Sequence, residues 1–197
     1  MPSLAEIQRS TAAAWNLLLN RPGALAGFDT SFAGFWRSFS VILLLLPLVA
    51  LASLSEARVL VSGEAADVAP LSLELFLTAR AVALGLDWVF VPLVLALIAG
   101  PLGVGAGYVA YVVVRNWSAL VMALVTAPLF ALHLIGFLPG GLLMLFLLVA
   151  TLVFVRYRYI ATRVTLGCPP VVAGGVVVLE YLSGIVLSEA TARLFGL

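Results

Sequence analysis

The sequence predicts an all-α polytopic integral membrane helical bundle, with five transmembrane helices preceded by N-terminal interfacial amphipathic helices. Of its 197 residues 64% are hydrophobic and only 10% charged, against roughly 45–50% and about 25% in soluble domains. A span needs about 20 apolar residues, so the chain holds about five with short connections. Charge supplies the third observation. Ten Arg stand against nine acids, for a formal charge of +1, and Lys is absent. No basic block of the kind a nucleic-acid partner needs is present. One cysteine, Cys168, forms no internal disulfide, so the expected fold is independent of an oxidising compartment.

Residues 1–37 read as a cytoplasmic amphipathic segment on the membrane surface, and 38–197 as the five-span domain. In the first helix Leu4, Ile7, Thr11, Trp15, Leu18 and Leu19 recur at helical spacing, with Glu6, Arg9, Ser10 and Asn16 opposite. Arg21-Pro22-Gly23 stops it. In the second, Phe28, Phe32, Phe35, Trp36 and Phe39 form an aromatic stripe suited to the water–lipid boundary. Asp29, Thr30 or Ser31 can cap its start, and Arg37 can snorkel to headgroups. A plain packing surface explains the stripe as well as lipid contact does. The run 41–52 ends in Ala-Leu-Ala like a signal peptide, but the long amphipathic segment before it favours an uncleaved first span.

The spans are expected at about 38–55, 81–100, 117–138, 142–157 and 170–189. The first is kinked near Pro47. The stretch 56–80, with four acids and two Arg, reads as an exposed loop with a surface helix from about Leu71. The glycine-rich run 100–107 interrupts the helical pattern. Pro139-Gly140-Gly141 makes a turn, and Cys168-Pro169-Pro170 precedes the last span. Whether 103–116 crosses or stays at one face is decided by arginine placement. Five spans with the N-terminus inside place Arg9, Arg21, Arg37, Arg115, Arg156, Arg158 and Arg163 in the cytoplasm, against Arg58, Arg80 and Arg193 outside. Six spans reverse that ratio. Five are therefore expected, with the C-terminus outside; no internal repeat points to an inverted-repeat transporter.

Ionisable groups inside spans are costly and are the natural functional candidates. Asp87, His133 and Glu180 are expected between the midplane and the outer face, close enough in depth for one polar cluster. A proton relay could use them; interhelical hydrogen bonding, as for Tyr181, Ser183 and Thr126, accounts for them too. Asp87-Trp88 and Asn116-Trp117 are alternatively interfacial anchors. Arg156 and Arg158, with Arg163, read as a cytoplasmic basic-aromatic patch for anionic headgroups or simply as the topology signal. Gly103-x-Gly105-x-Gly107 lacks the strand and acid of a dinucleotide loop, while Gly103 and Gly107 form a GxxxG pair at a break. With one His and one Cys there is no metal spacing, and neither Gly-x-Ser-x-Gly nor paired carboxylates occur. No catalytic residue, metal or cofactor is expected.

Arg21-Pro22 to Phe28, then Phe35-Trp36-Arg37-Ser38-Phe39 entering the first span, resemble the bacterial branch of the Yip (Ypt-interacting protein) family of five-span membrane proteins. Asn116-Trp117-Ser118, Pro128, the Leu-Pro-Gly turn and the 157–166 run (YRYIATRVTL) are similar to its uncharacterised proteobacterial members. The resemblance implies a bacterial inner membrane and, from eukaryotic relatives, membrane traffic through small GTPases and membrane shaping. The N-terminal region such a GTPase would contact is here only about forty residues. Two functions are thus expected. The first is a non-enzymatic inner-membrane protein acting through membrane lipids, a protein partner or a homo-oligomer, as an accessory or assembly subunit. The alternative is a small proton-coupled transporter or channel using Glu180, Asp87 and His133.

Overall fold

The computed structural model describes residues 1–62 and 72–197, and among them every regular element is helical. The order is α1 (Leu4–Leu18), α2 (Phe32–Phe39), α3 (Ile42–Ser62), α4 (Leu73–Ala99), α5 (Tyr108–Leu134), α6 (Gly140–Leu166) and α7 (Pro170–Leu194), with short 3₁₀ turns at Ala24–Gly27 and Gly105–Gly107. Five stretches are long and apolar enough to cross a membrane: Phe32–Leu60, Leu73–Ala99, Gly105–Leu134, Gly140–Leu166 and Pro170–Leu194. Large apolar side chains such as Leu97, Leu152 and Ile185 face outward on them, as a bundle solvated by acyl chains requires. This is a multi-pass membrane protein.

α5 is the central helix, packed by α1, α2, α3 and α6, while α7 lies against α4 and α6. One face of the bundle carries α1, the start of α5 and the end of α6; the opposite face carries the ends of α3, α5 and α7. At the first face Gly107 lies so close to α6 that a Cβ there would collide with the Thr165 carbonyl oxygen and the Leu166 backbone. Of the GxxxG pair, therefore, Gly107 marks a close helix approach. Gly103 instead supplies a left-handed turn residue (φ 68°) with open space around it.

Several boundaries differ from the sequence expectation. The stretch 108–116 neither crosses by itself nor rests at the interface; it forms the first turns of α5. The surface helix and second span are one helix, α4, and α3 continues to Ser62. The rest of the expected exposed loop, 63–71, lies outside the described residues. α6 continues past 157 to Leu166, with Thr162 and Thr165 donating to carbonyls four residues back.

The N-terminal segment is part of the bundle core. On α1 the buried residues are Glu6, Ser10, Ala13, Ala14, Leu17 and Leu18, while Leu4, Trp15 and Leu19 are exposed. The face with Glu6 and Ser10, expected to point at water, thus packs inward. Small Ala13 and Ala14 let α1 approach α5 and α6 closely, and the Tyr157 hydroxyl donates to the Ala14 carbonyl at 2.8 Å. Of the Leu–Trp stripe, Leu4, Trp15 and Leu19 stay on the outer surface while Leu18 packs inward. Ser31 caps α2 by accepting from the Gly34 amide at 3.1 Å. Among the stripe residues Phe28 and Phe35 are buried, Phe39 is half-buried, and only Phe32 and Trp36 are well exposed.

Candidate functional site: a buried ionic cavity

Four helices each contribute one ionisable side chain to a single interior site: Asp87 from α4, Arg115 from α5, Arg158 from α6 and Glu180 from α7. Arg115 sits seven residues after the start of α5, and Arg158 eight before the end of α6. At ~1.5 Å rise per residue, both bases lie roughly 10–12 Å inside the face that carries α1. Asp87 is near the middle of α4 and Glu180 ten residues into α7. The cluster lies at mid-bundle, displaced toward the α1 face, and not in the opposite half as its acids alone had implied.

Arg115 Nη2 donates to Asp87 Oδ2 at 2.7 Å, and its side chain is only 5% exposed. The two oxygens of Glu180 face different guanidiniums, Oε1 at 3.6 Å from Arg115 Nε and Oε2 at 3.7 Å from Arg158 Nε. Both distances exceed a hydrogen bond. The direct donor to Glu180 Oε1 is the Tyr111 hydroxyl, one turn before Arg115 on α5. Arg158 Nη1 donates to the Arg115 carbonyl at 3.0 Å. Among the described residues, buried Arg115 Nε and the Tyr181 hydroxyl have no hydrogen-bond partner. Coulomb attraction holds this cluster together while leaving donors unused.

The residues of this cluster line a cavity of about 720 Å³. Asp87, Arg115, Arg158, Glu180 and Tyr181 form its inner end; Ser188, Glu189 and Arg193 on the last turns of α7 form its outer end. Glu189 and Arg193 are well exposed and pair with each other, so the cavity runs from a buried charged floor toward the face opposite α1. Beside its mouth Arg80 donates to Ser188 Oγ at 2.7 Å and pairs with Glu56.

The sequence had assembled Asp87, Glu180 and His133. The structure joins the first two through Arg115 but places His133 near the end of α5, eighteen residues beyond Arg115. There His133 Nδ1 is 2.8 Å from the Leu138 carbonyl oxygen, within the turn to α6. Arg58 donates to the carbonyls of His133 and Leu134, closing the helix end. His133 is a turn residue, not a cluster member. Arg158 is buried in the cluster and not part of a surface patch, whereas Arg156 is exposed on the neighbouring surface. Arg37 does not snorkel; it pairs with Glu6 at 2.9 Å and with Asp29, tying α2 to α1 and the intervening loop.

Neither proposed Trp anchor is interfacial. Trp88 is buried and donates to the Phe39 carbonyl at 3.0 Å, across the α2–α3 break. Asn116 and Trp117 are fully enclosed, with Asn116 donating to Ser38 Oγ at 3.0 Å. Among the described residues no three His, Cys, Asp or Glu side chains converge to hold a metal.

Arg115 and Arg158 escaped detection because an arginine at the end of an apolar run reads as a topology signal. The available signal was Tyr111, four residues before Arg115. Read as one helix, 108–134 carries both polar groups on one face, well inside the bundle.

These features define a multi-pass helical membrane protein with an ionic cavity built from four of its spans. No family model, curated protein or solved structure matches the chain.

Proposed function

We propose that this is a non-enzymatic membrane protein that binds a small polar solute in the ionic cavity and carries it across the bilayer. The single observation supporting this is the meeting of four charged side chains from four spans at the floor of a cavity of about 720 Å³. Burying four charges among apolar helices is costly, and well-packed apolar residues often replace such a cluster without loss of stability. Arg115 and Tyr181, which carry the unused donors, line a cavity large enough for a solute. The reading keeps Asp87 and Glu180 from the transporter expectation and replaces His133 with Arg115 and Arg158.

The test is counterflow in phosphatidylcholine liposomes with a panel of small anions, zwitterions and cations. Saturable uptake of one class that falls at least tenfold in Arg158→Gln supports carriage. Protein that folds but moves none of them overturns it.

A cytoplasmic N-terminus in a bacterial inner membrane belongs to the same proposal. With Arg115 and Arg158 inside the bundle and Arg156 exposed ten residues before the end of α6, the bias narrows to Arg9, Arg21, Arg37 and Arg163 toward the α1 face against Arg58, Arg80 and Arg193. Because Cys168 is buried, single cysteines at Arg21 and Arg193 report sidedness cleanly. Labelling of the Arg21 position from the periplasm reverses the orientation. Membership of the Yip branch rests on the quoted sequence runs.

A second reading, lipid or partner contact through the N-terminal segment, is favoured by the exposed Phe32 and Trp36 on α2. Its test is their replacement by Ala, since deleting α1 would remove part of the core. Loss of a copurifying partner or lipid supports it; an unchanged copurification profile removes it.

A further inference from the structure

We infer that the solute is a small monoanionic oxyanion and that Glu180 takes up the proton that accompanies it. This rests on the carriage reading above and deepens it. With all four groups ionised, Asp87, Arg115, Arg158 and Glu180 sum to zero. With Glu180 neutral the site carries one positive charge, matched by one monoanion.

Geometry makes Glu180 an internal stand-in for that anion. Its oxygens occupy the space between two guanidiniums, one facing each, at 3.6 and 3.7 Å and without their hydrogen bonds. Asp87 differs because it already holds Arg115 Nη2 at 2.7 Å. Arg115 is nine-tenths buried, lines the cavity, and leaves Nε unpartnered. The groups facing Glu180 are Tyr111 and Arg115 from α5, Arg158 from α6 and Asp87 from α4, with Tyr181 beside it on α7. All but Asp87 and the tyrosines are permanently cationic. Protonation of Glu180 leaves its Tyr111 hydrogen bond possible and removes the carboxylate charge that competes for both bases. One proton from the aqueous phase goes onto Glu180 as one anion takes the guanidiniums, and both leave together.

A carboxylate, sulfonate or phosphodiester monoanion fits this chemistry, whether a free solute or an anionic lipid headgroup. Methanesulfonate is a suitable probe because it does not titrate, so any pH dependence belongs to the protein. In phosphatidylcholine nanodiscs, calorimetry should show binding at least tenfold tighter at pH 5.5 than at pH 7.5. Glu180→Gln should abolish that dependence and bind at pH 7.5 at least tenfold tighter than the unaltered protein. Arg158→Gln should weaken binding at least tenfold at both values. Should the Gln variant fail to fold, an indicator dye in weakly buffered solution reads the unaltered protein directly, and about one proton should be taken up per anion bound near pH 7.5.

Binding indifferent to pH, no proton uptake, or a preference for alanine or choline over methanesulfonate overturns the inference while leaving carriage standing. Competition by added phosphatidylglycerol, with no methanesulfonate flux, assigns the anion to a lipid headgroup. That result keeps the inference and removes carriage of a free solute.

Discussion

Two arginine–carboxylate networks in this protein use the same chemistry in opposite ways. At the edge, Arg37 makes direct hydrogen bonds to Glu6 and Asp29 and is about one-third exposed. In the interior, Arg115 is almost fully enclosed, yet it and Arg158 face Glu180 at distances too long for hydrogen bonds. The edge network is geometrically satisfied and joins three consecutive chain segments. The interior network is held by charge alone on one side and borders open space. The interior cluster is closed at Asp87 but open around Glu180, and this difference from the edge network is what the proposal of solute binding rests on.

The largest test of that contrast is Arg115→Gln. Removing the central cation leaves Asp87 without its strongest partner and Glu180 with one base, at a cost of about 3–5 kcal/mol for a buried pair broken from one side. Unfolding in detergent should show the loss. Replacing Asp87, Arg115, Arg158 and Glu180 together by apolar residues of similar volume should recover most of that stability while eliminating solute binding. A quadruple variant as unstable as the single one would make the interior cluster a fastener and erase the contrast.

Arg37→Ala should cost less, about 1 kcal/mol, because partly exposed pairs are screened and each contributes little. The same unfolding assay checks it, and a loss equal to that of Arg115→Gln would put the two networks on one footing.

Acid should act on the edge in a defined direction. Hydrogen bonds from Ser31 hold the Asp29 carboxyl below the usual Asp range; desolvation opposes them, and the Arg37 charge adds a lesser lowering. A lowered folded-state pKa means that its contribution is complete above the ordinary Asp value of about 3.9 and is lost as pH falls through the lowered one. Asp29→Asn should remove that acid-dependent step; hydrogen exchange of 28–39 between about pH 5 and pH 2 would show it persisting if the assignment is wrong.

The smallest effect belongs to Trp36→Ala. Its side chain is well exposed, and a surface change of this kind is expected within about 0.5 kcal/mol. A larger loss in lipid than in detergent would mark Trp36 as a true interfacial anchor.

Much of the site was half legible in the chain. Asp87 and Glu180 stood out because an acid inside a long apolar run has few structural reasons to be there. Their partners did not, since Arg115 follows the glycine-rich break and Arg158 closes an apolar run, where arginine ordinarily meets water. His133 was misplaced for a related reason. Its span was expected to begin at 117, whereas α5 begins at Tyr108 and carries the imidazole to the far turn. The polar face of α1 was misassigned to water because Glu6 finds its partner in Arg37, distant in sequence, and Ala13 and Ala14 admit close packing, neither of which hydrophobicity reports.

Composition, the spacing of apolar runs and the distribution of arginines determined five helical spans, because a hydrocarbon core about 30 Å thick demands uninterrupted backbone hydrogen bonding over that length. Tertiary structure alone decided which charges meet. With lipid and protein interior both apolar, the hydrophobic pattern does not tell one side of a span from another. Only the close approaches at Gly107 and along α1, and the lengths of α5 and α6, bring Arg115 and Arg158 to the level of Glu180.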